Sequence, residues 1–120
     1  LEFSYSGLKT AVLYERQKTP DRAIADVAAS FQWAAIDSLV IKTKQAIAQT
    51  HAPRLIVAGG VAANKLLRDR LSKEIDIPVL LPELSVCTDN GAMIAGAGYF
   101  RLRDGQAGTL TTTPTPSVSL

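Results

Sequence analysis

The run Leu55-Ile56-Val57-Ala58-Gly59-Gly60-Val61-Ala62-Ala63-Asn64 constrains the fold more than any other stretch of the chain. Leu55 to Val57 is short, uncharged and partly β-branched, the pattern of a strand buried on both faces in a parallel sheet. Two glycines follow, and Lys65-Leu66-Leu67-Arg68-Asp69-Arg70-Leu71 then places apolar groups at helical spacing. A strand, a tight turn and a helix start are thus compressed into one segment. Glycine lets backbone N–H groups approach a ligand, and the positive end of a helix attracts anions or polar oxygens. In open α/β sheets ligands collect at the carboxyl ends of strands, so the turn at Gly59-Gly60 is the candidate ligand site. The same residues also suit a plain strand-to-helix turn in which Asn64 merely caps the helix. Neither the GxGxxG fingerprint nor a GxxxxGK[ST] phosphate loop is present.

A chain of 120 residues with 47% hydrophobic content suits one domain with an aliphatic core. A net charge of +2 does not by itself argue for nucleic acid or membrane as a partner. Cys87 is the only cysteine, which excludes an intramolecular disulfide framework and favours a reducing compartment. No span reaches the roughly 18 apolar residues needed for a membrane helix and no signal-peptide pattern opens the chain, so no membrane partner and a cytoplasmic location are expected.

Leu1-Glu2-Phe3-Ser4-Tyr5 alternates like a strand already under way, which predicts that the chain is the carboxyl part of a longer protein. Ser6 is placed to cap a helix running to about Arg16. Thr19-Pro20-Asp21 restarts a helix that meets no breaker before about Thr50. Its apolar positions leave only a narrow polar stripe, predicting a central packing helix buried on most of its circumference through Ile41, with Trp33 a core or inter-domain aromatic or, alternatively, a residue that stacks a base or sits in a protein interface. His51 stands at that helix's end, and with no second histidine a His-only metal site is excluded.

Ile77 to Leu81 reads as another strand, near an edge because of Pro78, and Pro82 to Val86 as a loop. Cys87-Thr88-Asp89-Asn90 then leads into a helix rich in small residues, expected to pack closely on its neighbours and to close near Arg103. Thr88 or Asp89 is the expected cap, and an ionised carboxylate there is suited to a metal ion or a ribose hydroxyl. Cys87 reads as a small buried hydrophobe. Residues 105–120 read as a mobile tail. The resulting order of strand, helix, long helix, strand, helix, strand, helix predicts an α/β fold. Its parallel sheet is flanked by helices, as in part of a ribonuclease-H-like or actin-like domain.

Three phrases, Phe3-Ser4-Tyr5-Ser6-Gly7-Leu8-Lys9-Thr10, Val57 to Asn64, and Cys87 to Ala95, join Asp26-Val27-Ala28-Ala29-Ser30-Phe31-Gln32 in one pattern. Together they closely resemble the TsaD family, also called Gcp or YgjD and historically described as O-sialoglycoprotein endopeptidase. The resemblance runs from Leu1 to about Arg103. It implies the carboxyl-terminal lobe, residues 1–104, of a two-lobed ASKHA (actin, sugar kinase, Hsp70-like) enzyme. Such enzymes move a threonylcarbamoyl group from its adenylate to adenosine next to the tRNA anticodon.

By the same resemblance Gly59, Gly60, Val61 and Asn64 contact the nucleotide part of threonylcarbamoyl-adenylate, and Asp89 is a ligand of a divalent metal, iron or zinc. Implied partners are tRNA, a smaller paralogous subunit and an ATPase. The family's two metal-binding histidines, in a His-x-x-x-His pattern, do not occur here, so an isolated chain of 120 residues is expected to be inactive. One competing reading is a metal-dependent glycoprotease, for which no His-Glu-x-x-His helix is present. The other is a non-catalytic fold fragment or partner-binding module, whose exposed apolar surface could drive self-association.

Overall fold

The computed structural model describes residues 5–109, 111 and 113. Residues Leu1 to Ser4, which carry most of the expected first strand, and most of the expected tail lie outside the described residues. Contacts divide the chain into two compact units, residues 1–87 and 88–120.

In the first unit the described order is α1 (Ser6–Lys18), α2 (Ile24–Thr50), β1 (Leu55–Ile56), α3 (Lys65–Glu74) and β2 (Val79–Leu80). Short 3-10 turns occupy Gly60–Ala63 and Leu84–Val86, the latter inside the segment expected to be a loop. The strands pair in parallel, Leu55 beside Val79 and Ile56 beside Leu80. The Leu55 N–H donates to the Pro78 carbonyl at 2.9 Å and the Val57 N–H to the Leu80 carbonyl at 3.0 Å. The predicted α/β class and parallel pairing are therefore present, with strands shorter than the apolar runs suggested.

α1 begins without the expected serine cap: Tyr5 holds the cap position in helical dihedrals, and its side chain makes no cap hydrogen bond. α2 starts at Ile24, three residues after Asp21, because side chains hold the intervening chain in a corner. Arg16 Nη1 donates to the Arg22 carbonyl at 2.9 Å, and Arg22 Nη1 pairs with Glu15 Oε1 at 2.6 Å. At its far end α2 stops where His51 adopts the left-handed conformation, φ 52°, with its N–H on the Ile47 carbonyl.

The core is a contact between α2 and α3. Ile36 and Val40 pack with Leu67 and Leu71, and Leu55, Val57 and Val79 of the strand layer close the cluster from the side. Beside it, Arg70 reaches across from α3. Its Nη1 meets Asp37 Oδ1 at 2.7 Å, its Nε meets Glu74 Oε1 at 2.6 Å, and its guanidinium carbon lies 4.8 Å from the Trp33 ring centroid. Lys44 Nζ completes the clasp on Glu74 at 2.8 Å.

The expectation of a helix buried through Ile41 is corrected. Only Val27, Ile36 and Val40 of α2 are buried, whereas Ile24, Phe31, Trp33 and Ile41 are exposed. Apolar periodicity marks a surface with capacity for burial, but among the described residues α1, α3 and the strands cover only part of it. α2 is moreover long and apolar enough by length and composition to cross a membrane, its best 18-residue window having mean hydropathy 1.4, which corrects the reading that no span is.

In the second unit α4 (Gly91–Arg103) has no buried residue. A Cβ added at Gly96 or Gly98 would meet nothing within 4 Å, so the close packing expected of this small-residue helix is not found among the described residues. Tyr99 and Phe100 meet edge to face at 5.4 Å, and Arg103 lies 5.0 Å from the Phe100 ring centroid.

The clasp predicts an acid limit. Hydrogen bonds from Arg70, then from Lys44, lower the Glu74 pKa from 4.5 to about 2. A folded-state value below the ordinary one means the contribution is complete above pH 4.5 and lost as pH falls toward 2. Urea midpoints measured across that window fall in the native chain, and Glu74→Gln flattens the decline.

Candidate nucleotide site at the glycine turn

After β1 the backbone turns at Gly59, with φ 88° and ψ 171°, a region essentially restricted to glycine. The 3-10 turn then closes, the Ala62 N–H on the Gly59 carbonyl at 2.9 Å and the Asn64 N–H on the Val61 carbonyl at 3.0 Å. Asn64 is extended, φ −67° and ψ 120°, and its Oδ1 accepts from the Leu67 N–H at 3.1 Å, capping α3. The capping role considered from the sequence is therefore real. It leaves the Asn64 amide nitrogen as the polar end of that side chain.

Gly60 and Val61 open the 3-10 turn, where the first N–H groups have no partner inside the turn itself. Val61 and Asn64 also line an open groove of about 460 Å3, with Phe31, Gln32 and Ala35 of α2 on the other wall. That volume falls in the range of about 300–1,000 Å3 that holds small molecules. A mostly apolar groove with the polar side chains of Gln32 and Asn64 along it suits a planar ring that carries polar groups. The sequence signalled the turn; the α2 wall it read as core.

Arg68 was not anticipated. From the first turns of α3 its Nη1 donates to the Ala62 carbonyl at 2.9 Å and its Nη2 to the Pro82 carbonyl at 2.9 Å. The buried Cys87 Sγ lies 3.9 Å from Nη1 and donates to the Glu83 carbonyl at 3.4 Å. Cys87 is thus the small buried residue expected of it.

Asp89 belongs to the second unit and is exposed. The cap of α4 is neither Asp89 nor Thr88, as expected, but Asn90, whose Oδ1 accepts from the Met93 N–H at 3.0 Å while its Nδ2 donates to the Thr88 carbonyl at 2.9 Å. Both residue types cap well, and one residue of register decides between them. Asp89 is therefore free of a capping duty. Among the described residues no group of three or more His, Cys, Asp or Glu side chains could hold a metal ion, so a metal does not fit this chain's residues as a complete site.

The family described as "TsaD: tRNA N6-adenosine threonylcarbamoyltransferase" matches residues 1–96. The chain belongs to the TsaD family. A relative from Carboxydothermus hydrogenoformans, a tRNA N6-adenosine threonylcarbamoyltransferase, is 46% identical over 98% of this chain and 36% of its own length. Relatives of the same name from Desulfitobacterium hafniense and Dehalococcoides mccartyi are 53% and 43% identical over 87% and 99% of the chain. The chain spans about a third of the length of the curated TsaD relatives it matches, 33–37% in each. The matched region contains the glycine turn, Asn64, Arg68 and Asp89.

Two glycines side by side make opposite predictions. Gly59→Ala strains a backbone that only glycine adopts freely and lowers stability by about 1–3 kcal/mol. Gly60→Ala meets open space and changes it by less than about 0.5 kcal/mol. Chemical denaturation of both variants measures the contrast.

Proposed function

We propose that this TsaD chain carries the adenylate-binding part of a transferase that moves a threonylcarbamoyl group from its adenylate to adenosine next to the tRNA anticodon. The observation that supports this most directly is the joining of glycine turn, Asn64 and apolar groove in one unit. On this reading the adenine ring enters the groove against α2, and the phosphate faces the N–H groups of Gly60 and Val61 and the amino end of α3. The Asn64 amide hydrogen-bonds the nucleotide while its carbonyl oxygen keeps the helix capped.

The adenylate is a mixed anhydride and already activated. Transfer forms a bond from the adenosine amine to the carbamoyl carbon and breaks that carbon's bond to the phosphate oxygen. AMP departs with the electron pair, and the amine loses a proton. The residues described here serve orientation, which holds the anhydride where the incoming amine can reach it.

Asp89 is assigned as one ligand of a divalent iron or zinc ion. Such an ion, when bound, would polarise the carbonyl. One carboxylate does not make the site, and the remaining ligands would come from elsewhere in the enzyme. The two-lobed ASKHA architecture belongs to the same proposal. So do tRNA, a smaller paralogous subunit and an ATPase as partners, and a cytoplasmic location.

Calorimetric titration of the chain with AMP and with a non-hydrolysable threonylcarbamoyl-adenylate analogue tests the reading. Asn64→Asp keeps the cap, so unfolding is nearly unchanged, yet it places a negative charge beside the phosphate. The expected result is binding by the native chain that weakens about tenfold in the variant. No heat of binding from a folded native chain would sink the proposal.

A further inference from the structure

The glycine turn is short, exposed at Gly59, Gly60 and Val61, and preceded by a two-residue strand, so its own hydrogen bonds do little to fix where it points. The strongest tie on it comes from α3. Arg68 donates to the carbonyl of Ala62, inside the turn, and with its other terminal nitrogen to the carbonyl of Pro82, just after β2. These acceptors lie 6 and 14 residues away in sequence, and a planar fork is the side chain that can bond both at 2.9 Å. The third neighbour is the Cys87 sulfur. Ala62 and Cys87 are 1% and 2% exposed, so the clamp works where little water competes with it.

No ion pair found among the described residues involves Arg68. Its charge is held by neutral carbonyls and adds to the positive potential at the start of α3. One of those carbonyls, that of Ala62, belongs to the turn itself, so the guanidinium constrains the turn directly.

We propose that Arg68 is the positioning residue of the adenylate turn. Its guanidinium locks residues 59–63 to the segment 82–87 in the conformation that receives the nucleotide phosphate. The proposal rests on the reading of this turn as the adenylate site, and its test separates the two.

Arg68→Met removes the fork and keeps much of the apolar stem, whereas Arg68→Lys keeps the charge and can bond only one carbonyl at a time. Three readouts apply: amide exchange at Ala62 and Asn64, the alkylation rate of Cys87, which is the sole thiol, and calorimetric affinity for AMP. In Arg68→Met the expected result is exchange and alkylation each about tenfold faster, and AMP binding about tenfold weaker, while exchange at Val40 changes much less. Arg68→Lys does not restore the turn's protection or the affinity, because a point charge cannot replace the fork. Native-like exchange and alkylation in a folded Arg68→Met chain overturn the proposal, and so does a loosened turn with unchanged AMP affinity. If Arg68→Met does not fold, native protection and affinity in Arg68→Lys overturn it equally. A native chain that binds no AMP refutes the adenylate reading alone, and exchange with alkylation then decide the positioning claim.

Discussion

The contact of α3 with α2 is what the described part of the molecule depends on. Two strands of two residues each contribute few backbone bonds, and an isolated strand pair of that size has marginal stability in water. Ile36, Val40, Leu67 and Leu71 supply the burial instead, and the strands pack against that cluster through Leu55, Val57 and Val79. The clasp of Arg70 on Asp37, Glu74 and Trp33 sits at the margin of the cluster, where partly exposed ion pairs add modestly to stability but fix the rotation of one helix against the other. The start of α3 is therefore set by packing, and the turn that feeds it inherits that placement.

From this follows the character of the site. It is made of backbone more than of side chains: a glycine conformation at Gly59, the opening N–H groups of a 3-10 turn, and a helix terminus. Side chains enter by constraining that backbone, Asn64 from the end of the turn and Arg68 from beneath it. A constellation of this kind is suited to holding and orienting a ligand, which agrees with the proposed adenylate, a substrate that would arrive already activated.

The turn was legible in the sequence because each of its parts is local. A strand ending in two glycines and followed by a capping residue encodes its geometry within ten positions, and Asn64 caps α3 as its chemistry allowed. The cap of α4 was misplaced by one residue for the same local reason, since Thr88, Asp89 and Asn90 are all competent caps. Arg68 could not be read, because its acceptors are main-chain carbonyls that carry no residue identity, and a lysine- and arginine-rich helix face normally points to water. Arg70 escaped for a related reason: its partners Asp37 and Trp33 are brought to it only by the helix crossing.

α2 shows where hydropathy stops being informative. Its length and apolar content satisfy both a core helix and a membrane span, and the pattern of Ile24, Phe31 and Ile41 does not distinguish them. Ionic contacts do. Asp37 and Lys44 of α2 are engaged by Arg70 and Glu74 of α3, and carrying those four charges into hydrocarbon would cost several kcal/mol more than leaving them at a wet protein surface. Ile36 and Val40, one and four residues from Asp37 and Lys44, are meanwhile buried by protein. At the groove, Phe31, Gln32 and Ala35 of the same helix supply the wall against which the proposed adenine ring would lie.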